Sequence, residues 1–422
     1  MLLIKNGHIV DPFHGVDAVR DLAVSDDGTI IPAHLADAEG AEVIDAAGCI
    51  VAPGLVDMHV HFRDPGQTHK EDLVSGAYAA AAGGVTTAVC MANTSPAIDT
   101  PEAVRDILER AQGLPIHVIP CAAVTAGLKG QEPTDWAALI EAGAAALSDD
   151  GYPVMDASLM RRALKAAAAG GYLISSHCED ANLAGNHAVN EGAVSAQLGL
   201  PGRPAIAEEI MVARDLMLAE ETGAHIHIAH VSTARSVALI EEAKRRGVRV
   251  TAETCPHYFA LTEQYVLRRG AAARVNPPLR TEKDAAAIIA GLQNGVIDAI
   301  ATDHAPHTAE EKALPLEQAP SGIPGLETAL AAALTYLYHP GHLPLMTLVD
   351  LMSTAPAAIL GLDKGRIGPG DEADIVIFDP EEEWVVNPAR FYSRGKTSPF
   401  EGMRLKGRVK YTICRGRVVY RG

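Results

Sequence analysis

Eight times between residues 55 and 303 a short apolar run appears, and alanine-rich stretches long enough for helices lie between the runs. The runs are LVDMHVH (55–61), VTTAVCM (85–91), IHVIPCA (116–122), AAALSDD (144–150), YLISSHC (172–178), HIHIAHV (225–231), VRVTAET (248–254) and VIDAIATD (296–303). Their length suits buried strands. Segments such as KEDLVSGAYAAAAGG, PEAVRDILERAQG and LMRRALKAAAAGG end in glycine, as helix C-caps do. Eight strand–helix units predict an α/β chain folded as a (β/α)8 TIM barrel. No residue-level repeat supports a solenoid.

The flanks have a different rhythm. LLIKNGHIVDP, DLAVSDDGTI and AEVIDAAGCIVAPG at one end, and GRIGPGDEADIVIFDP, EEEWVVNP and GRVKYTICRGRVVYRG at the other, read as short strands and turns. Asp27-Gly28 between apolar runs is a hairpin signal. Neither flank buries enough surface to stand alone. The expectation is one small β-sandwich domain from residues 1–52 plus 363–422, split by a barrel domain of residues 53–362.

Composition narrows the functions available. Of 422 residues, 48% are hydrophobic but only 4% aromatic, so the core must be built mainly from Ala, Val, Leu and Ile. With 53 acidic against 35 basic residues the net charge is −18, which disfavours nucleic acid as a partner. One local cation would still serve a small anionic substrate. No run of about 18 apolar residues is present, so no membrane span is expected. The start MLLIKNGHIVDP lacks a basic segment, a long apolar stretch and a cleavage site, so a cytoplasmic protein is expected. Cys49, Cys90, Cys121, Cys178, Cys255 and Cys414 form no CxxC pair and read as free thiols of a reducing compartment. Cys178, beside His177, is the one candidate nucleophile among them.

Candidate metal ligands fall at or just past the C-terminal ends of these runs, the rim where barrel enzymes build their sites. His59 and His61 end the first, Asp149-Asp150 the fourth, His177 the fifth, His230 the sixth and Asp303 the eighth. Residues i and i+2 of a strand share a face, so His59 and His61 can converge on one ion. Imidazoles with carboxylates suit zinc or a similar divalent cation, and a carboxylate can bridge two. Structural histidines have no reason to favour strand ends. By the same parity His225 and His227 should face the outer helices, while His257 and His307 lie in loops close to the rim.

Assembled in order, PGLVDMHVHFRDPG (53–66), MANTSP (91–96), SDDG (148–151), SHCED (176–180), AHVST (229–233), NPPLR (276–280) and ATDHAPH (301–307) resemble the motifs of the amidohydrolase superfamily, and more narrowly of the bacterial type I dihydroorotases. The tail SPFEGMRLKGRVKYTICRGRVVY (398–420) resembles one shared by dihydroorotases and hydantoinases. The resemblance spans essentially the whole chain. It implies two zinc ions per subunit, one on His59, His61 and Asp303, the other on His177 and His230, with Asp150 bridging them. Many relatives bridge with a carboxylated lysine on the fourth strand. Here the segment is Ala-Leu-Ser-Asp-Asp-Gly, without a lysine, which weakens a hydantoinase or allantoinase assignment.

The resemblance further implies reversible cyclisation of N-carbamoyl-L-aspartate to (S)-dihydroorotate in pyrimidine synthesis, through a metal-bound hydroxide with Asp303 as general acid and base. Arg63 would clamp the substrate carboxylate with Asn93 and His307, and His61 would lie against the substrate. Asn276 and the backbone at Ser321-Gly322 would hold the ring, although relatives usually carry Phe where this chain has Ser321. The loop 301–325 reads as a partly mobile lid. A homo-oligomer is implied, and a complex with aspartate transcarbamoylase is admitted. The competing readings are another cyclic amidase and a silent scaffold subunit, and the full ligand set counts against the scaffold.

Overall fold

The computed structural model describes residues 1–35 and 40–422. Parallel strands Leu55–Val60, Val85–Cys90 and His117–Pro120 form one arc. Ile174–Ser176, Ile226–Ile228, Val250–Thr254 and Ala299–Ile300 form another. Two seams join the arcs into a ring: Leu147 bridges in parallel to Ala122 and Ile174, and His304 bridges to Val60. Helices follow most of the staves, so the chain is an α/β (β/α)8 barrel.

The fourth stave is shorter than its apolar run suggests. Its last ladder bonds run from Leu147 N–H to Leu173 O (3.0 Å), Ser148 N–H to Ala122 O (2.8 Å) and Ser175 N–H to Leu147 O (2.9 Å). Immediately beyond, the Asp149 carboxylate accepts the N–H groups of Val124 (2.7 Å) and Thr125 (3.0 Å). That contact takes the chain out of the sheet and frees Asp150 to project across the barrel mouth.

Local chemistry sets the helices. Asp72 caps Leu73–Ala82 by accepting from Ser75 N–H (2.7 Å), and Thr100 caps Pro101–Arg110, with proline at its first position. Asp156 starts Ala157–Gly170, which Gly171 ends in the left-handed conformation. The second helix stops at Ala111 rather than at its glycine, and the positive φ appears two residues on, at Gly113. Gly76 faces the Phe62 ring so closely that a Cβ would lie 2.4 Å from it. The first helix therefore packs tightly behind the His61–Arg63 segment.

Strands from both ends of the chain share one six-stranded sheet in the order Arg417–Arg421, Arg404–Cys414, Ile375–Val385, Ile50–Pro53, His8–Asp11, Val16–Val19. A four-stranded sheet, Ile30–Ile31, Leu22–Val24, Leu2–Lys5 and Glu42–Asp45, packs with it around Ile4, Ile9, Val24, Val51, Ile375 and Ile413. The expected hairpin is there: Leu22–Val24 pairs antiparallel with Ile30–Ile31 across a turn in which Gly28 takes φ +85°. Among the described residues no helix is long and apolar enough to cross a membrane.

Candidate active site and metal centre

Six side chains from five staves meet at the barrel mouth. His59, His61, Asp150, His177, His230 and Asp303 are each at most 8% exposed. Asp150 lies at their centre. Its Oδ1 is 3.3 Å from His59 Nε2, 3.3 Å from His230 Nε2 and 3.4 Å from His177 Nδ1, and its Oδ2 is 3.5 Å from His61 Nε2. Asp303 Oδ1 lies 3.0 Å from His61 Nε2 and 3.7 Å from His59 Nε2. Asp149, the alternative from sequence, is occupied with Val124 and Thr125.

This donor set fits divalent cations. His177 Nδ1 and His230 Nε2 face each other at 2.8 Å, and His59 Nε2 is buried without a hydrogen-bond partner. Two triads, His59–His61–Asp150 and Asp150–His177–His230, hold ligand atoms mutually close enough for one ion each. Burial would raise the Asp150 carboxyl, but His59 and the surrounding imidazole hydrogen bonds hold it well below the usual carboxylate range. Burial would lower His59, yet Asp150 and Glu253 raise it well above an ordinary imidazole, and His177 is raised to about 9 by Asp150 and Glu179 against the same opposing burial. Such a cluster calls for positive charge, as metal sites do. A third cluster, His117–Asp374–Cys414, already contains a cation: Lys364 Nζ is 2.9 Å from His117 Nε2 and 2.8 Å from Asp374 Oδ2.

The candidate ligands are themselves oriented. His59 Nδ1 meets Glu253 Oε1 at 2.6 Å, and His61 Nδ1 donates to Asn93 Oδ1 at 2.8 Å. His177 Nε2 faces Glu179 (3.6 Å), which is paired with Arg203 (2.8 Å). Such partners fix the ring orientation of ligand imidazoles. Glu253 was missed in the sequence; the available signal was an acid inside an apolar strand. His227 corrects the parity argument. It is buried against Glu253 (3.4 Å) and Thr251 (2.9 Å), inside the barrel below His59 rather than toward the outer helices. His225 reaches the same Thr251 hydroxyl (2.9 Å). Alternation fails because the strand ends at Ile228 and His230 takes φ +35°.

Arg63 and Asp303 are also left-handed, at φ +58° and +48°. Strained backbone of this kind collects at functional sites. Arg63 is buried, its Nε donating to Pro306 O (3.4 Å), and its Nη2 lies 3.3 Å from His307. His307 Nε2 donates to Ser321 O (2.8 Å), and burial beside Arg63 and Lys70 pushes this imidazole down to about 2, so it is neutral. Gly322 N–H donates to Arg274 O (2.9 Å), so both backbone groups expected to face substrate also hold the loop. Asn276 Oδ1 is buried without a partner, as is His257 Nε2, whose imidazole burial lowers to about 4. Cys178 points away, toward Ser176 and Asp215 (3.5 Å each), and burial raises its thiol far above a reactive range.

Solved structures with this architecture include the L-hydantoinase (dihydropyrimidinase) of Arthrobacter aurescens, with TM-score 0.88 and 28% identity over 100% of this chain and 96% of that one. The dihydropyrimidinase of Brevibacillus agri NCHU1002 superposes with TM-score 0.86 and 26% identity, over 100% and 95%. Barrel, terminal sandwich and imidazole–carboxylate mouth define an amidohydrolase. Residues 48–236 match the family described as Dihydro-orotase-like. Curated dihydroorotases of Ruminiclostridium cellulolyticum (51% identical, 100% of this chain, 98% of that protein) and Pelotomaculum thermopropionicum (50%, 99% and 98%) match over their length. The chain belongs to the dihydroorotase family.

Proposed function

We propose that this protein interconverts N-carbamoyl-L-aspartate and (S)-dihydroorotate in pyrimidine synthesis, working on the ring amide at the mouth of residues 53–362 with residues 1–52 and 363–422 as a supporting sandwich. One observation carries the reading: the Asp150 carboxylate lies between two histidine pairs, with Asp303 beside one of them. His59, His61 and Asp303 would hold one zinc ion, His177 and His230 the other, and Asp150 would bridge them. Divalent ions there would lower the pKa of water from 15.7 toward roughly 7 and polarise a carbonyl.

The remaining work falls to the chain. Arg63 meets the substrate carboxylate with two parallel N–H bonds, giving orientation as well as charge. Asn93 and His307 flank that carboxylate, and His61 lies against the ring. The unpartnered Asn276 Oδ1 accepts a ring N–H, and the Ser321-Gly322 backbone borders the ring. The Asp303 carboxyl is kept below its ordinary value by His61, His59 and His230, against burial, so it is ionised and able to take a proton. In ring opening Asp303 takes a proton from the water that adds to the ring carbonyl and delivers it to the nitrogen as the C–N bond breaks; in ring closure the same transfers run in reverse. Closure is an orientation problem, because both ends of a flexible chain must be held together.

Metal-loaded wild type and Asp303→Asn, assayed side by side on dihydroorotate, hydantoin and allantoin, test the proposal. Wild type should turn over dihydroorotate, and the variant should lose about 100-fold or more while keeping its fold. Unchanged turnover in Asp303→Asn removes that carboxylate from the chemistry. The structural likeness to hydantoinases favours a second reading, a hydantoin-ring amidase. Preference for hydantoin would establish it, and inertness on all three rings would favour a scaffold. A homo-oligomer, a complex with aspartate transcarbamoylase and a cytoplasmic location belong to the same proposal; size-exclusion chromatography alone and with that partner checks the first two.

A further inference from the structure

The segment from Asp303 to Gly325 contains a buried ammonium that the mechanism above leaves unused. Lys312 ends the short helix Ala309–Lys312 and is 6% exposed. The adjacent Glu311 carboxylate pairs with Lys70 instead (3.0 Å). Lys312 Nζ donates to three main-chain oxygens, Gly322 O at 2.8 Å, Pro320 O at 3.0 Å and Arg274 O at 3.3 Å. An ammonium has three N–H bonds, and here each has a carbonyl. Taking such a charge out of water is expensive, and a methionine would fill the space without that cost. Desolvation, with Arg274 nearby, draws the group down to about 7.

The three carbonyls belong to two different segments. Arg274 directly precedes Val275-Asn276, while Pro320 and Gly322 enclose Ser321. Other bonds run between the same segments: Gly322 N–H to Arg274 O (2.9 Å), Arg274 Nε to Ser321 Oγ (3.2 Å) and Arg274 Nη1 to Leu316 O (2.6 Å). Gly322 takes φ +129°, and a Cβ there would lie 2.5 Å from Ala305 O and 3.1 Å from His307 Nε2. The loop is thus laid down closely, with Lys312 as the post to which both sides are tied.

We propose that Lys312 is a positioning residue that fastens segment 320–322 to segment 274–276 and so sets the width of the slot receiving the substrate ring. The inference rests on the proposed function for where the ring lies. Lys312 touches neither the ring nor Asp303, so it governs affinity and leaves the proton transfer alone.

Lys312→Met and Lys312→Arg in the full-length, metal-loaded protein test this through KM, kcat, metal content and exchange of the Gly322 amide. Lys312→Met should raise KM for dihydroorotate about 10-fold or more, with kcat within about threefold and metal content unchanged. Its Gly322 amide should exchange roughly 10-fold faster. Lys312→Arg keeps charge and stem, but its planar fork cannot meet all three oxygens, so it should fall between the two. Wild-type KM and exchange in either folded variant overturns the proposal, as does a loss confined to kcat. If wild type fails to turn over dihydroorotate the functional reading falls, while Gly322 exchange still decides whether Lys312 fastens the loop.

Discussion

Under the proposed function, Arg63 would separate this site from one built for a neutral ring. Its guanidinium is buried, and burial lowers it from its ordinary value while Asp303 and Asp150 pull it back. A hydrogen bond to a charged group contributes about 1.5–3 kcal/mol, or roughly 10- to 150-fold. Arg63→Gln should therefore raise KM for dihydroorotate by about that factor, with metal content unchanged. Steady-state kinetics with metal analysis checks it, and an unaltered KM removes Arg63 from the clamp. The carboxylates and histidines of this centre were legible because they recur at strand ends and within ordered motifs. Glu253 and His227 were not. Parity alone cannot reveal that a chain leaves its strand at Ile228, turns through a left-handed His230, and leaves His227 inside the barrel.

At the level of elements, the segment after Asn387 buttresses the barrel through two acids. Glu71, fully buried, meets His304 Nε2 at 3.2 Å and accepts Arg394 N–H (3.2 Å) and the Ser393 hydroxyl. Glu327 accepts the N–H groups of Tyr392 and Ser393, at 3.0 Å each. Burial raises the Glu327 carboxyl from 4.5 to about 7 despite those bonds. A carboxyl raised in the folded state holds its proton there after the unfolded chain has lost it. Its contribution is complete below about pH 4.5 and is lost as pH rises through about 7. Relative to Glu327→Gln, wild type should lose up to about 3 kcal/mol across that window, read from urea unfolding at successive pH values. Parallel pH profiles would show that Glu327 does not titrate this way. Nothing in the sequence marked Glu71 or Glu327, because their partners lie 322 and 65 residues away.

For the molecule as a whole, the barrel was legible because eight apolar runs set a rhythm that few folds share. The brevity of the fourth stave was hidden, since Asp149 turns toward a neighbouring loop that composition does not describe. A centre of four imidazoles and two carboxylates, all buried, would tie the proposed metal to global stability. Ions binding only the folded chain add about 4 kcal/mol at a thousandfold excess over their dissociation constant. Chelation should therefore lower the melting temperature of wild type by several degrees and leave Asp150→Ala, already less stable, unmoved. Calorimetry with and without chelator decides it; a wild type indifferent to chelation argues against a structural share for the metal.

The bridge from Val60 to His304, with His61 N–H donating to His304 O at 2.8 Å, joins the first stave to the last. His61 and Asp303, 242 residues apart, become neighbours only when that seam forms. A nascent or truncated chain ending before residue 303 can carry five of the six ligands and still have no working centre. Turnover is then an all-or-none report of ring completion, and partial refolding should give fewer competent molecules, each with full specific rate, rather than many slow ones.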